Sequence, residues 1–237
     1  MKGKLFGIGV GPGDPELITV KAVNVLKEVA VVCVPQAMPG KPSLALKIAQ
    51  DYLSEDIEIL ELVLPMTENQ DELERAWQDA GLKILEQLEK GKNVAFLTLG
   101  DPSIYSTYSY VSKVIKRMAP YIEIETIPGI TSFSLAAARA GVPLVEKDES
   151  LIILPVGDRQ ILLDSLIGES NVVLMKISRD FDFVVDALEN SERMDNAFLV
   201  SRCGQKEEKI LKNIGNLKGQ KIDYMSLIIS KNQGEEL

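Results

Sequence analysis

Short apolar runs alternate along this chain with longer stretches whose apolar residues recur every three or four positions. Leu5–Val10 reads as a buried strand, Pro15–Glu28 as a helix, and Ala30–Val34 as a second strand ended by Pro35. Ser43–Tyr52 has helical spacing and Ile57–Leu62 has strand character. In Asn69–Glu89 the apolar positions Leu73, Trp77, Leu82, Leu85 and Leu88 lie at helical intervals. Asn93–Leu99 then reads as a strand and Tyr105–Met118 as a helix. Strands that alternate with helices in this way imply an α/β fold with a mainly parallel sheet.

The second half is built differently. Ile122–Ile127, Leu151–Pro155, Val172–Ile177, Ala197–Ser201 and Met225–Ser230 read as strands, with helices at Thr131–Ala140, Asp158–Ile167 and Phe181–Asn190. Pro120 marks the change of pattern, so the expected domains are residues 1–119 and 120–237, without a flexible linker between them. The polar tail Asn232–Leu237 is expected to fray.

Charge and composition narrow the chemistry. The 237 residues carry 26 Lys plus Arg against 35 Asp plus Glu, a formal net charge of -9. General nucleic-acid binding needs a basic face, so it is not expected, although a local basic pocket remains open. Histidine is absent, which removes Ser-His and Cys-His nucleophiles and any imidazole-ligated metal. Proton transfer would fall to carboxylates, Lys, Tyr, Cys or water. Cys33 and Cys203 lie in apolar runs and read as buried thiols rather than zinc ligands. No apolar run reaches the roughly 18 residues of a membrane span, and Leu5–Val10 is too short for a signal segment, so a cytoplasmic location is expected.

Three strand-to-helix loops carry the candidate chemistry. Gly7-Ile8-Gly9-Val10-Gly11-Pro12-Gly13-Asp14-Pro15 lacks the third glycine of a dinucleotide fingerprint, since Asp14 stands there, and it is not a P-loop. It reads either as a tight turn, with Asp14 capping the helix that Pro15 opens, or as a place where backbone meets a ligand. In Leu97–Tyr105 a strand ends in Gly100-Asp101-Pro102, which sets a carboxylate at the strand's carboxyl end or simply caps a turn. Ile127–Phe133 repeats the plan with Pro128-Gly129-Ile130-Thr131-Ser132. Together the loops offer amides, hydroxyls and one acid rather than a phosphate cage, which suits a neutral or zwitterionic adenosyl ligand. Tyr105, Tyr108 and Tyr110 near one helix start can stack on a ligand or pack in the core.

The run Gly9-Val10-Gly11-Pro12-Gly13-Asp14-Pro15-Glu16-Leu17-Ile18-Thr19 resembles the opening motif of the tetrapyrrole methylases, the family that methylates corrin and sirohaem precursors from S-adenosylmethionine. Gly100-Asp101-Pro102 and Pro128-Gly129-Ile130-Thr131-Ser132 resemble its second and third motifs, and the resemblance spans the chain. Gly100–Tyr108, with Tyr105-Ser106-Thr107-Tyr108, and Leu64-Pro65-Met66-Thr67 are similar to members that methylate C20 of precorrin-2 or cobalt-factor II.

The resemblance implies two α/β domains with the methyl donor in the cleft between them, a homodimer and a tetrapyrrole substrate; with no histidine and no zinc-like cysteine spacing, no protein-bound metal is expected. It implies that Pro12, Gly100, Asp101, Ser103, Ile104, Tyr105, Thr107, Thr131, Ser132 and Lys176 contact the donor; many members have Met-Gly where this chain has Lys176-Ile177. Asp101 is the candidate to take the C20 proton or orient the ring, or else to hold its loop. The carboxylate-rich substrate calls for local cations, for which Lys41, Arg139, Lys176, Arg179 and Arg202 are candidates. Other methylases of the fold, acting on another corrin carbon, on diphthine or on ribosomal RNA, are the nearest rivals. A nucleotide-sensing protein without catalysis is the rival from outside enzymology.

Overall fold

The computed structural model describes residues 1–38, 40 and 42–232. Two compact units divide it, Met1–Thr131 and Ser132–Leu237. The first holds a parallel sheet of β1 (Leu5–Gly9), β2 (Val31–Gln36), β3 (Glu58–Val63), β4 (Val94–Thr98) and β5 (Ile124–Ile127), in the order β3-β2-β4-β1-β5. Its helices are α1 (Val20–Leu26), α2 (Leu44–Ala49), α3 (Gln70–Glu89) and α4 (Tyr108–Met118).

Alternation along the strands assigns the two faces. Val32, Val34, Ile8, Val10 and Leu97 pack with Ala22 and Leu26 of α1 and Ala45 and Ile48 of α2. Leu5, Cys33, Val94 and Phe96 pack on the other side with Ala80, Ile84 and Leu88 of α3 and Val111 and Ile115 of α4. Connections that step towards β3 therefore cross one face, and those that return towards β5 cross the other. A right-handed crossover requires this placement.

Local chemistry sets where several helices begin. Thr19 Oγ1 accepts from the Ala22 N–H, Ser43 Oγ from Leu46 and Asn69 Oδ1 from Glu72, so each closes an otherwise unpaired first-turn donor. The single helix expected over Pro15–Glu28 is two pieces, because Ile18 and Thr19 are extended and Thr19 caps a fresh start after the short turn Pro15–Leu17. The helix expected from Tyr105 starts at Tyr108, since Tyr105 has φ +47, a left-handed backbone that no α-helix contains.

Strand β2 runs past Pro35 to Gln36 rather than ending there. Gln36 O accepts from Leu64 N on the β3 side while Val31 N donates to Asn93 O on the β4 side. Pro35 shares Val31's parity and faces β4, whose pairing has already stopped at Cys33–Phe96, so its missing N–H opens no rung.

The second unit is a mixed sheet of β6 (Leu151–Pro155), β7 (Asn171–Met175), β8 (Ala197–Ser201), β9 (Lys209–Leu211) and β10 (Ser226–Ser230), in the order β6-β7-β10-β8-β9. Strand β6 is parallel to β7, while β10 lies antiparallel between β7 and β8. Helices α5 (Ser132–Ala140), α6 (Arg159–Ile167) and α7 (Phe181–Asn190) complete it. One apolar core joins Leu162, Leu166, Val172, Leu174, Val184, Leu188, Leu199 and Ile228.

The unit boundary falls after Thr131, not near Pro120 as the change of pattern suggested. Strand β5 pairs in parallel with β1, Leu5 opposite Ile124 through Ile8 opposite Ile127, and so belongs to the first sheet. The expected fraying at Asn232–Leu237 falls, beyond Asn232, outside the described residues. No helix among the described residues is long and apolar enough to cross a membrane.

Candidate functional site

Strands β1 and β4 are neighbours, yet their connections leave across opposite faces of the sheet. Such a switch of direction opens a crevice at the carboxyl ends of parallel strands. Here the loops after β1 and β4 are tied together: Gly100 N donates to Gly11 O at 2.8 Å and Gly11 N to Gly100 O at 3.3 Å. Both glycines need left-handed backbone, with φ +82 and +71.

The loop after β5 closes on the same point. A Cβ on Gly9 would stand 2.6 Å from Gly100 O and from Gly129 N, and one on Gly129 would stand 2.8 Å from Gly9 O. The three expected motifs thus meet as bare backbone. Gly7 is different, because its missing Cβ makes room for the Tyr108 ring and not for a ligand.

Asp101 fastens this junction. Its Oδ2 accepts from Gly129 N at 2.9 Å, and its Oδ1 accepts from Ser103 N at 2.8 Å and from the Ser103 hydroxyl. Burial alone would raise the carboxyl's pKa, but these donors outweigh it and hold the group below its ordinary range. A carboxylate with both oxygens accepting and a lowered pKa is a poor proton acceptor. The arrangement therefore matches the loop-holding alternative for Asp101 better than the role of a base.

Around it, Pro12 is buried after Gly11, while Ser103, Tyr105 and Thr107 are exposed and Ile104 is half-buried. Thr98 Oγ1 and Ser106 Oγ lie 2.8 Å apart, and Ser106 Oγ accepts from Tyr108 N at 3.1 Å. Tyr108 is core, its hydroxyl 3.0 Å from Thr126 Oγ1. Tyr110 stacks on Trp77 with ring centres 4.2 Å apart, a contact between α4 and α3.

Thr131 ends the first unit, and Ser132 opens α5 in the second. Lys176 follows β7 with φ +58, a conformation that glycine takes without strain. Arg202 follows β8 with φ +50; its Nε meets Asp223 Oδ2 at 2.8 Å, and Nη1 lies 3.9 Å from Glu207. Arg139 Nε lies 3.6 Å from Glu208, so two of the expected substrate cations already face carboxylates. Arg179 borders an open hollow of about 480 Å³ with Arg159, Asp182, Phe183 and Lys221. Lys41 lies outside the described residues.

Sequence reasoning passed over Gln36. Only 8% of it is exposed, at the carboxyl end of β2, and its side-chain Oε1 is buried without a hydrogen-bond partner among the described residues. Reading Pro35 as the strand's end hid it.

The residues present suit S-adenosylmethionine as methyl donor. Between Gly7 and Leu17, between Leu97 and Thr107, and between Ile127 and Ser132 there is no lysine or arginine, so no side-chain cation there would pair with a phosphate or repel a sulfonium. Bare glycine backbone, hydroxyls and an orphaned amide oxygen are what an adenosyl amino acid can use.

A parallel sheet with cation-free glycine loops converging on its carboxyl edge defines the class: an α/β enzyme fold with a crevice at the strand ends. The chain belongs to the tetrapyrrole (corrin/porphyrin) methylases, whose family description matches residues 4–218. It is 37% identical over 96% of both chains to a Methanocaldococcus jannaschii protein named "probable cobalt-precorrin-2 C(20)-methyltransferase". It is 30% identical, over 99% of both chains, to the cobalt-precorrin-2 C(20)-methyltransferase of Salmonella typhimurium. A precorrin-2 C(20)-methyltransferase from a Sinorhizobium species is 31% identical over 96% of this chain and 94% of its own. Among solved structures, a cobalt precorrin-4 methyltransferase superposes with a TM-score of 0.74 at 22% identity, covering 96% of this chain and 94% of that one. A uroporphyrin-III C-methyltransferase from Thermus thermophilus, complexed with S-adenosylhomocysteine, has a TM-score of 0.69 at 19% identity, covering 97% and 92%. These likenesses show the fold.

Proposed function

We propose that this chain transfers a methyl group from S-adenosylmethionine to C20 of precorrin-2 or its cobalt complex, in the synthesis of cobalamin. The observation that carries the reading is full-length likeness to proteins named for that reaction, joined to a site made of bare backbone. The Tyr105-Ser106-Thr107-Tyr108 run supports C20 over other carbons, and the cobalt form is preferred.

When bound, S-adenosylmethionine supplies a methyl already activated on sulfur. What remains for the protein is to hold two molecules in line at roughly 3–3.5 Å, which backbone and shape can do. The reduced macrocycle supplies the electron pair for the new C–C bond, the S–CH3 bond breaks with its pair returning to sulfur, and the C20 proton passes to water. No enzyme nucleophile is required, in keeping with a chain without histidine. Asp101 serves here by fixing Gly100 against Gly129. Tyr105, Thr107, Thr131, Ser132 and Lys176 are assigned to the donor, and Arg139, Arg179, Arg202 and Lys41 to the substrate carboxylates. The reading includes a cytoplasmic homodimer.

The test is anaerobic incubation with S-adenosylmethionine and either macrocycle, followed by mass spectrometry and NMR of the product. One added methyl at C20 is the expected result. A methyl at another carbon, or none on either macrocycle, would overturn the assignment.

A further inference from the structure

Gln36 stands where the first sheet opens. Register from Val31 opposite Val94 places Gln36 level with Leu99, and register from Leu5 opposite Val94 places Val10 in the same row. One residue further on, Gly11 and Gly100 are bridged. Pairing of β2 with β4 ends at Cys33–Phe96, so Gln36 occupies the strand end that has lost its neighbour on the β4 side. By alternation its side chain continues the face of Val32 and Val34, the face from which the Gly11–Asp14 loop leaves β1.

A buried amide oxygen without a partner is unfavourable, and the polar groups of folded proteins are nearly all satisfied. An apolar residue of Gln36's size would remove that cost. By register, the residue that carries this oxygen stands one row before the Gly11–Gly100 bridge, on the strand beside β4.

We infer that the Gln36 side-chain carbonyl is a positioning acceptor, completed by an N–H of a bound small molecule. This rests on the methyl-transfer reading only for the identity of the molecules. Two of them carry suitable donors: the methyl donor, through its ammonium or adenine amino group, and the macrocycle, through a pyrrole N–H. Gln36 would then act on binding and alignment, not on proton transfer.

The test compares Gln36→Met and Gln36→Glu with the unaltered protein. S-adenosylhomocysteine is titrated by calorimetry, precorrin-2 and its cobalt complex by anaerobic absorbance, and the ligand-free proteins are melted. Gln36→Met should weaken one ligand by roughly ten-fold, the loss of one hydrogen bond, while the ligand-free protein melts no lower than before. Gln36→Glu keeps acceptor oxygens and should recover most of the affinity.

Loss confined to S-adenosylhomocysteine identifies the donor molecule as the source of the N–H. Loss confined to precorrin-2, with the cobalt complex unaffected, identifies a pyrrole N–H, which cobalt replaces. Affinities all within about twofold of the unaltered protein overturn the inference, as does a lower melting temperature with no recovery in Gln36→Glu. If the unaltered protein binds neither macrocycle, the C20 reading fails by itself, and the inference is decided by the S-adenosylhomocysteine titration.

Discussion

Gly129 donates its backbone N–H to Asp101 Oδ2 at 2.9 Å, across 28 positions of sequence. That single bond ties the loop after β5 to the loop after β4, and Gly9 lies beneath it with no room for a side chain. Replacing Asp101 with Asn turns one oxygen into a donor that faces another donor. Asp101→Asn should lower stability by about 1–3 kcal/mol in urea unfolding and weaken S-adenosylhomocysteine binding. An unchanged midpoint and affinity would refute the fastening role.

The same carboxyl gives a sign for pH. Its folded pKa lies below the ordinary 3.8, so its stabilisation is fully present above that value and fades as pH falls through the lowered one. Asp101→Asn should therefore flatten the fall of melting temperature below about pH 4. Identical pH profiles for the two proteins would show that another group governs the acid limb.

Glycines at the junction are required for space, whereas others are not. Gly129→Ala should destabilise the protein by roughly 2–4 kcal/mol, because the added Cβ meets Gly9 and Gly100 backbone that cannot yield cheaply. Gly168, at φ -76 with open space around the Cβ position, is the control. Gly168→Ala should change stability by less than about 0.5 kcal/mol. Calorimetric melting of both variants decides the matter.

Arg193 locks the second unit independently of the site. It is 3% exposed and donates from Nε to Leu166 O at 2.8 Å, from Nη1 to Ser170 O at 3.0 Å, and from Nη2 to Gly168 O. These carbonyls lie at and just beyond the C-terminal end of α6, where a cation is favourable. Arg193→Met should cost about 3 kcal/mol and leave S-adenosylhomocysteine affinity as it was. A loss of affinity without a loss of stability would show that Arg193 serves ligand binding.

Neither cysteine should react while the protein is folded. Burial pushes the Cys203 thiol up to about 12, with Glu208 adding to it, and burial pushes Cys33 higher still. At pH 8 an aromatic disulfide reagent should label neither thiol in native protein and both after denaturation. Rapid labelling of native Cys203 would mean that the loop after β8 opens.

Much of this was legible in the chain itself. The periodicity of Asn69–Glu89 gave helix α3 almost to the residue, because an amphipathic stripe is a local property. Leu5–Val10 and Leu97–Tyr105 announced strands ending in glycine turns, and the Gly-Asp-Pro and Pro-Gly motifs pointed to their family. Strand β9, three residues long and mostly exposed, left no pattern to read. Tyr105 hid its left-handed backbone behind a residue type that seldom adopts it.

By itself, the sequence determined element type, the glycine loops and the absence of imidazole chemistry, since each follows from neighbouring residues or from composition. Only the tertiary structure decided that β5 joins β1, that Asp101 meets Gly129, and that Gln36 is buried with an orphaned oxygen. Those outcomes depend on strand order and register. Strand order and register are fixed by packing between segments far apart in the chain, where no local pattern carries the information.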